Sequence, residues 1–180
     1  MEAFLGESLT QTAFFSVPFV RAALLTDDVT SLDEHLDSFM TNHVARRASR
    51  LQGMAFLATV ADVFELPNLV ALRQHVLRHA LPGHYAVIFG AVMRSLDVEL
   101  PSALRTYLYI AMRGMLSAAV RLGIIGPLEA QRLQTRLDGP LGAAAETGLG
   151  LTLADVCQTS PPLELWQMGQ DRLYSRLFQS

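Results

Sequence analysis

An all-α, single-domain multi-helix bundle spanning residues 1–180 is the fold this sequence predicts, on three observations. Apolar residues recur at intervals of three and four, the spacing that puts them on one helical face. Prolines fall where helices begin, and alternating strand patterns are scarce. A chain of 180 residues, 51% hydrophobic and 17% charged, also has enough apolar side chains for a conventional core. At this size about 70% of the unfolded surface is buried without any disulfide or metal staple.

The elements follow in order. Ser16 and Pro18 stand as a cap and an early-helix proline for a helix through Leu25, which stops at Thr26-Asp27-Asp28. Ser31 and Glu34 form the pattern of a capping box opening a helix toward Met40. From His43 to Phe64 no proline interrupts a run that passes from basic to apolar, so one long helix is expected. Pro67 starts the next, Pro82-Gly83 ends it, and His84 to Leu96 makes another. Pro101 opens a long helix through Leu122, and Gly126-Pro127 is the sharpest break in the chain. Leu128 to Leu137 is helical, Gly139-Pro140 interrupts, and Ala143 to Ala145 allows a further short piece. The glycines at 148 and 150 read as a turn, Thr152 with Asp155 as a short cap, and Pro161-Pro162 precedes a last amphipathic segment.

Composition excludes several functions. All 14 basic residues are arginine, so there is no lysine for a Walker A loop, a Schiff base or a kinase site. Cys157 is the lone cysteine, which leaves no internal disulfide and no Cys-x-x-Cys site, and a reducing cytosol fits best. The opening MEAFLGESLTQTAFF lacks the basic and long apolar regions of a secretory signal. Tyr107 to Gly126 is the most apolar stretch, but Arg113 and Arg121 break it, each costing about 2.5 to 3.5 kcal/mol on insertion. A mean hydropathy of +0.28 therefore reads as a large core plus apolar surface for a partner or a second copy. A net charge of -3 with dispersed arginines offers no basic stripe for nucleic acid.

Candidate chemistry is sparse. No glutamate stands three residues before a histidine as di-iron helices require, and the zincin pattern is absent. Gly6-Glu7-Ser8 fails as a nucleophile elbow because Thr10 stands where glycine is needed. His75 and His79, four apart with His84 just beyond, could share a metal or simply lie on the surface. Cys157 reads as a small buried apolar residue rather than a ligand or nucleophile. Arg46, Arg47 and Arg50 gather on one helix, either as a solvated face or as a clamp for an acidic partner or a phosphate. Arg113 and Arg121 must each reach water, a carboxylate or a partner's acceptor.

Three ordered blocks carry a family resemblance: HYAVIFGAVMRSL at 84–96, SAAVRLGIIGPLEAQRL at 117–133 and LYSRLFQS at 173–180. SVPFVRAA at 16–23 and ASRLQGMAFL at 48–57 support them. With these the chain resembles the urease accessory protein F (UreF) family across nearly its whole length. The resemblance implies an all-helical, cytoplasmic homodimer that catalyses nothing and needs no cofactor of its own. It implies a protein that joins the accessory protein UreD (or UreH) and recruits the GTPase UreG, so that nickel reaches the urease apoprotein. By the same resemblance Tyr174, Ser175, Arg176, Leu177 and Phe178 match the family's terminal segment, which packs on the UreD-type partner; docking on the chain's own core is the competing role. Arg121, Gly126 and Gln131 match a stretch tied to dimer and GTPase contacts.

The chain also departs from the family pattern. It begins after the place of the family's Phe-Pro-x-Gly-Gly-Phe-like and Ser-x-Gly-Leu-Glu elements. Met168-Gly169-Gln170-Asp171 replaces a Met-Arg-His-Glu-like run, Gln179 an arginine, and Gly123 to Pro127 differs from a commoner Pro-Leu-Gly-Gln. The alternative function is a helical ligand-binding or dimerisation module of a regulator.

Overall fold

The computed structural model describes residues 1–169, and the described residues form ten α-helices, one 3₁₀ turn and no strand. The helices are α1 (Glu2–Phe15), α2 (Val17–Leu25), α3 (Val29–Phe39), α4 (His43–Phe64), α5 (Pro67–Arg78), α6 (Tyr85–Ser95), α7 (Leu100–Arg121), α8 (Pro127–Arg136), α9 (Asp138–Gly150) and α10 (Pro161–Met168). The fold class is all-α, as the helical periodicity predicts. The described residues divide into two compact units, one of residues 1–18 and 100–160, the other of residues 19–99 and 161–169.

In the first unit α7 packs on α9 and α1. Leu5, Leu9 and Ala13 present one buried stripe of α1, spaced by four, and Leu104, Leu108, Met112 and Leu116 do the same on α7. Helix α1 is not among the helices that the sequence pattern predicts. Phe4 is 41% exposed, so the stripe is masked by apolar residues outside it. Gly139 and Pro140, read as an interruption, lie in the first turn of α9. Proline is tolerated there because a first-turn N–H has no intrahelical acceptor to lose. Gly148 and Gly150 likewise complete α9 instead of making a turn, and a Cβ at Gly148 would lie 2.6 Å from Val17 Cγ1. The unit's last residues return to α1, where Gln11 Oε1 accepts N–H groups from Thr159 (2.5 Å) and Ser160 (2.9 Å).

In the second unit α4 packs on α6, and Leu57, Val60, Leu69, Val76, Ile88 and Val92 build the buried centre. Two glycines allow backbones to touch: a Cβ at Gly53 would stand 2.1 Å from Gly83 O, and one at Gly90 2.3 Å from Val20 O. Pro67 holds the first position of α5, as expected. The cap of α3 is Asp28, not Ser31: the Asp28 carboxylate accepts the Ser31 N–H at 3.0 Å, so the helix starts earlier than the capping-box pattern implies. A charged carboxylate at a helix N-terminus meets both a free N–H and the positive end of the dipole. Those hydrogen bonds hold the Asp28 carboxyl below its ordinary value.

Candidate partner-binding surface

The elbow between α7 and α8 is built from three residue choices. Gly123 takes φ +69°, its N–H donates to Val120 O at 3.0 Å, and the Ile124 N–H donates to Ala119 O at 3.0 Å. That pair of bonds is a Schellman ending, which needs a left-handed residue best supplied by glycine. Gly126 then caps α8 and Pro127 occupies its first position, so the turn is fixed on both sides. In such endings the residue after the glycine often packs back on its own helix. Here Ile124 stays 60% exposed, alongside Leu122 at 49% and Leu128 at 65%.

Arg121 closes α7 at the edge of this apolar elbow, exposed, with Nη1 donating to Ser117 Oγ at 3.3 Å. Gln131 lies exposed on α8, so the two sequence-derived residues stand on the two arms of one elbow. Arg113 is exposed as well, which settles it as a solvent-reaching side chain and not a member of a buried pair. An arginine bordering exposed aliphatic side chains is the composition of a protein-binding surface, apolar area at the centre and directed charge at the rim. Tyr174, Ser175, Arg176, Leu177 and Phe178 lie outside the described residues.

A second polar constellation lies in the other unit, and sequence reasoning missed most of it. Asp33 and Asp37, one turn apart on α3, face the strand of loop that enters α6. Asp33 is fully buried and accepts the Gly83 N–H at 2.6 Å and the His84 N–H at 2.8 Å, capping α6 from another helix. Asp37 accepts from Arg46 Nε (2.8 Å), Arg50 Nε (3.0 Å) and His84 Nε2 (2.9 Å). The Tyr85 N–H donates to Ser49 Oγ at 3.2 Å, and Ser49 Oγ lies 3.1 Å from His84 Nδ1. A neutral imidazole with its proton on Nε2 satisfies every member: Ser49 donates to Nδ1 and Nε2–H donates to Asp37.

These contacts correct two readings. Arg46 and Arg50 are neither a bare solvated face nor a clamp open to a partner, because Asp37 of the same chain engages both. His84 is not a surface histidine near a metal but a fully buried one. His75 and His79 do lie side by side, ring centroids 4.6 Å apart and tilted at 46°, with His75 Nε2 2.9 Å from Thr30 Oγ1, and no group of three or more metal-ligating side chains occurs among the described residues. Cys157 is exposed, contrary to the burial expected of a free cysteine. It follows the 3₁₀ turn Leu153–Asp155, tied down by its backbone N–H to Phe14 O and not by its side chain.

Burial lowers the His84 pKa, opposed in part by its bond to Asp37, and burial raises that of Asp33 against its backbone hydrogen bonds. Burial would also raise Asp37, but hydrogen bonds from Arg46, His84 and Arg50 outweigh it and hold that carboxyl well below the usual range. The signs differ. A depressed histidine gives stability that is present above the ordinary value of 6.5 and lost as pH falls, since the unfolded chain takes up the proton first. Asp37 loses its part only below 3.8, while Asp33 acts in the opposite sense, losing stability as pH rises through its raised value. Urea unfolding of the native chain between pH 7 and 5 is expected to carry a His84 contribution of up to about 1.4 kcal/mol per pH unit. The difference between native and His84→Gln profiles isolates it, and a difference that stays flat over this window would contradict the assignment.

Fold and surface together define an all-α protein with an exposed, arginine-edged apolar elbow. No helix among the described residues is long and apolar enough to cross a membrane. The family model of UreF matches residues 1–138. Urease accessory protein F of Arabidopsis thaliana is 36% identical over 99% of this chain and 76% of its own length. The protein of the same name from Oryza sativa subsp. indica is 33% identical over 99% and 70%, and urease accessory protein UreF of Arthrobacter sp. (strain FB24) is 30% identical over 100% and 79%. The chain belongs to the UreF family of urease accessory proteins.

Proposed function

We propose that this chain is a nickel-insertion cochaperone of urease, a cytoplasmic homodimer that bridges a UreD- or UreH-type protein and the GTPase UreG. It reaches the urease apoprotein through that complex and performs no catalysis itself; nickel is cargo. The observation that carries the reading is likeness along essentially the whole chain to proteins named as urease accessory proteins, 36% identical in one case. Support comes from the elbow, where Leu122, Ile124 and Leu128 leave apolar area uncovered beside Arg121. Burying three such side chains would contribute about 1.5 to 3 kcal/mol each if fully covered. In this reading Arg121 and Gln131 serve the dimer or GTPase contact, and Tyr174, Ser175, Arg176, Leu177 and Phe178 dock on the UreD-type partner.

Co-expression of the tagged chain with a UreD-type protein, followed by affinity capture and size-exclusion chromatography, tests the proposal. Co-elution of two copies of each is expected, with no GTP hydrolysis by the chain alone. Arg176→Ala should weaken capture of the UreD-type protein by about tenfold or more, as loss of an arginine anchor does, without altering the helical far-UV signal. Ile124→Asp should spare that capture and impair dimerisation or UreG recruitment. A native chain that is folded and monomeric and retains no partner would overturn the reading.

A further inference from the structure

A cleft of about 720 Å³ opens on the second unit, bounded by the α2–α3 turn, one face of α5 and the end of α6. Its volume is that of a small-molecule site. Asn68, Ala71, Leu72, His75 and Arg78 line it from α5, at the spacing of a single helical face, and Arg94 and Ser95 line it from α6. Val29, Ala71 and Leu72 supply an apolar wall, and Asp27 is the one carboxylate among the lining residues.

Arg94 is the anomaly. Its side chain is 28% exposed, yet Nη1 is buried and has no hydrogen-bond partner among the described residues. Nη1 is closed off from the cleft, so it leaves this buried charge short of acceptors, and Nη2 is the donor that a group in the cleft can reach. Nη2 lies 3.1 Å from Asp27 Oδ1, but the Asp27 side chain is 100% exposed, so this contact is weak and readily displaced. Arg78, exposed on the opposite wall, adds a second positive charge.

We infer that this cleft binds a small organic oxyanion whose charged end is held between Arg94 and Arg78 and whose apolar part lies on Val29, Ala71 and Leu72. The arginine fork suits either a carboxylate or a phosphate ester, since both present two oxygens to paired N–H donors. The inference does not rest on the partner-binding role, because the cleft and the α7–α8 elbow are built from different units.

Isothermal titration of the full chain with succinate and with phenyl phosphate, against sodium chloride of matched ionic strength, decides it and tells the two oxyanions apart. Saturable one-to-one binding of at least one of them is expected. Arg94→Met, which keeps the alkyl stem, should weaken it about tenfold, the loss of a charge-assisted pair. Arg78→Gln, a surface change that leaves the fold intact, should weaken it severalfold, and Asp27→Asn should tighten it by removing the competing carboxylate. Heats no different from the salt control, or affinity unchanged in Arg78→Gln and Asp27→Asn, would overturn the site.

Discussion

Replacing Gly53 by alanine is expected to destabilise the second unit severely, the largest effect anticipated for a single added methyl group in this chain. The new Cβ would lie 2.1 Å from Gly83 O, 2.8 Å from Tyr85 N and 2.9 Å from His84 C. All three are backbone atoms of the loop that enters α6, so no side-chain rotation relieves the clash. Relief requires α4 and that loop to separate, which would break the Asp33 bonds to Gly83 and His84 and open the contact between α4 and α6. Overpacking alone costs about 1–3 kcal/mol, and the coupled loss of buried hydrogen bonds adds about 1–3 kcal/mol for each orphaned group. Together these come to roughly 3–9 kcal/mol, a large share of a typical total of about 5–15 kcal/mol. Thermal denaturation by far-UV circular dichroism checks it. A cooperative transition within a few degrees of the native protein would show that the close approach is not required.

Asp33→Ala is the second severe change. Asp33 is fully buried and is the acceptor for two consecutive backbone N–H groups at the entrance to α6. Its removal leaves both donors without a partner in a site closed to water, a destabilisation of roughly 2–6 kcal/mol at about 1–3 kcal/mol for each. A compensating gain comes from no longer burying a carboxylate, whose raised pKa records that cost. Asp33→Asn separates the two effects, because the amide keeps one acceptor oxygen and no charge while turning an NH₂ group toward an N–H. Denaturant midpoints are expected to rank native first, Asp33→Asn next and Asp33→Ala last. Equal midpoints for Asn and Ala would mean that the charge, not the hydrogen bonding, sets the behaviour of the site.

Much of the helical order was legible because it rests on local chemistry. Pro67 and Pro127 begin helices since their missing N–H is one that a first turn leaves unsatisfied, and the Gly123 to Pro127 break is where backbone demands glycine and proline together. Local chemistry also explains the errors. Gly139-Pro140 punctuates a sequence whether it ends one helix or starts another, and only the packing of Leu141 and Ala145 in the core selects the second. The cap of α3 went to Asp28 over Ser31 because both patterns occur three residues apart and the carboxylate binds more strongly. The Asp33, Asp37 and His84 constellation was not legible at all, since its partners come from positions about fifty residues apart that only the fold brings together. The Arg46 and Arg50 pairing was half legible: their gathering on one helix face is spacing, but their acceptor, Asp37, belongs to another helix.

The elbow shows the same division. Arg121 and Gln131 entered through family resemblance, whereas the exposure of Ile124 and Leu128 follows from a Schellman turn that closes without folding its apolar residue inward. In the proposed function, that exposure is the link between a local backbone ending and partner binding.

Nickel-dependent activation of urease tests the central claim most directly. Cells carrying a complete urease system but lacking their own UreF-family protein would be supplied with this chain together with its UreD-type protein and UreG, and urease activity in lysates measured with and without added nickel. The native chain is expected to restore activity in a nickel-dependent manner, and that activity is expected to be lost when the UreG is omitted. Expression of a folded chain that captures its UreD-type partner yet leaves urease inactive at every nickel concentration would contradict it.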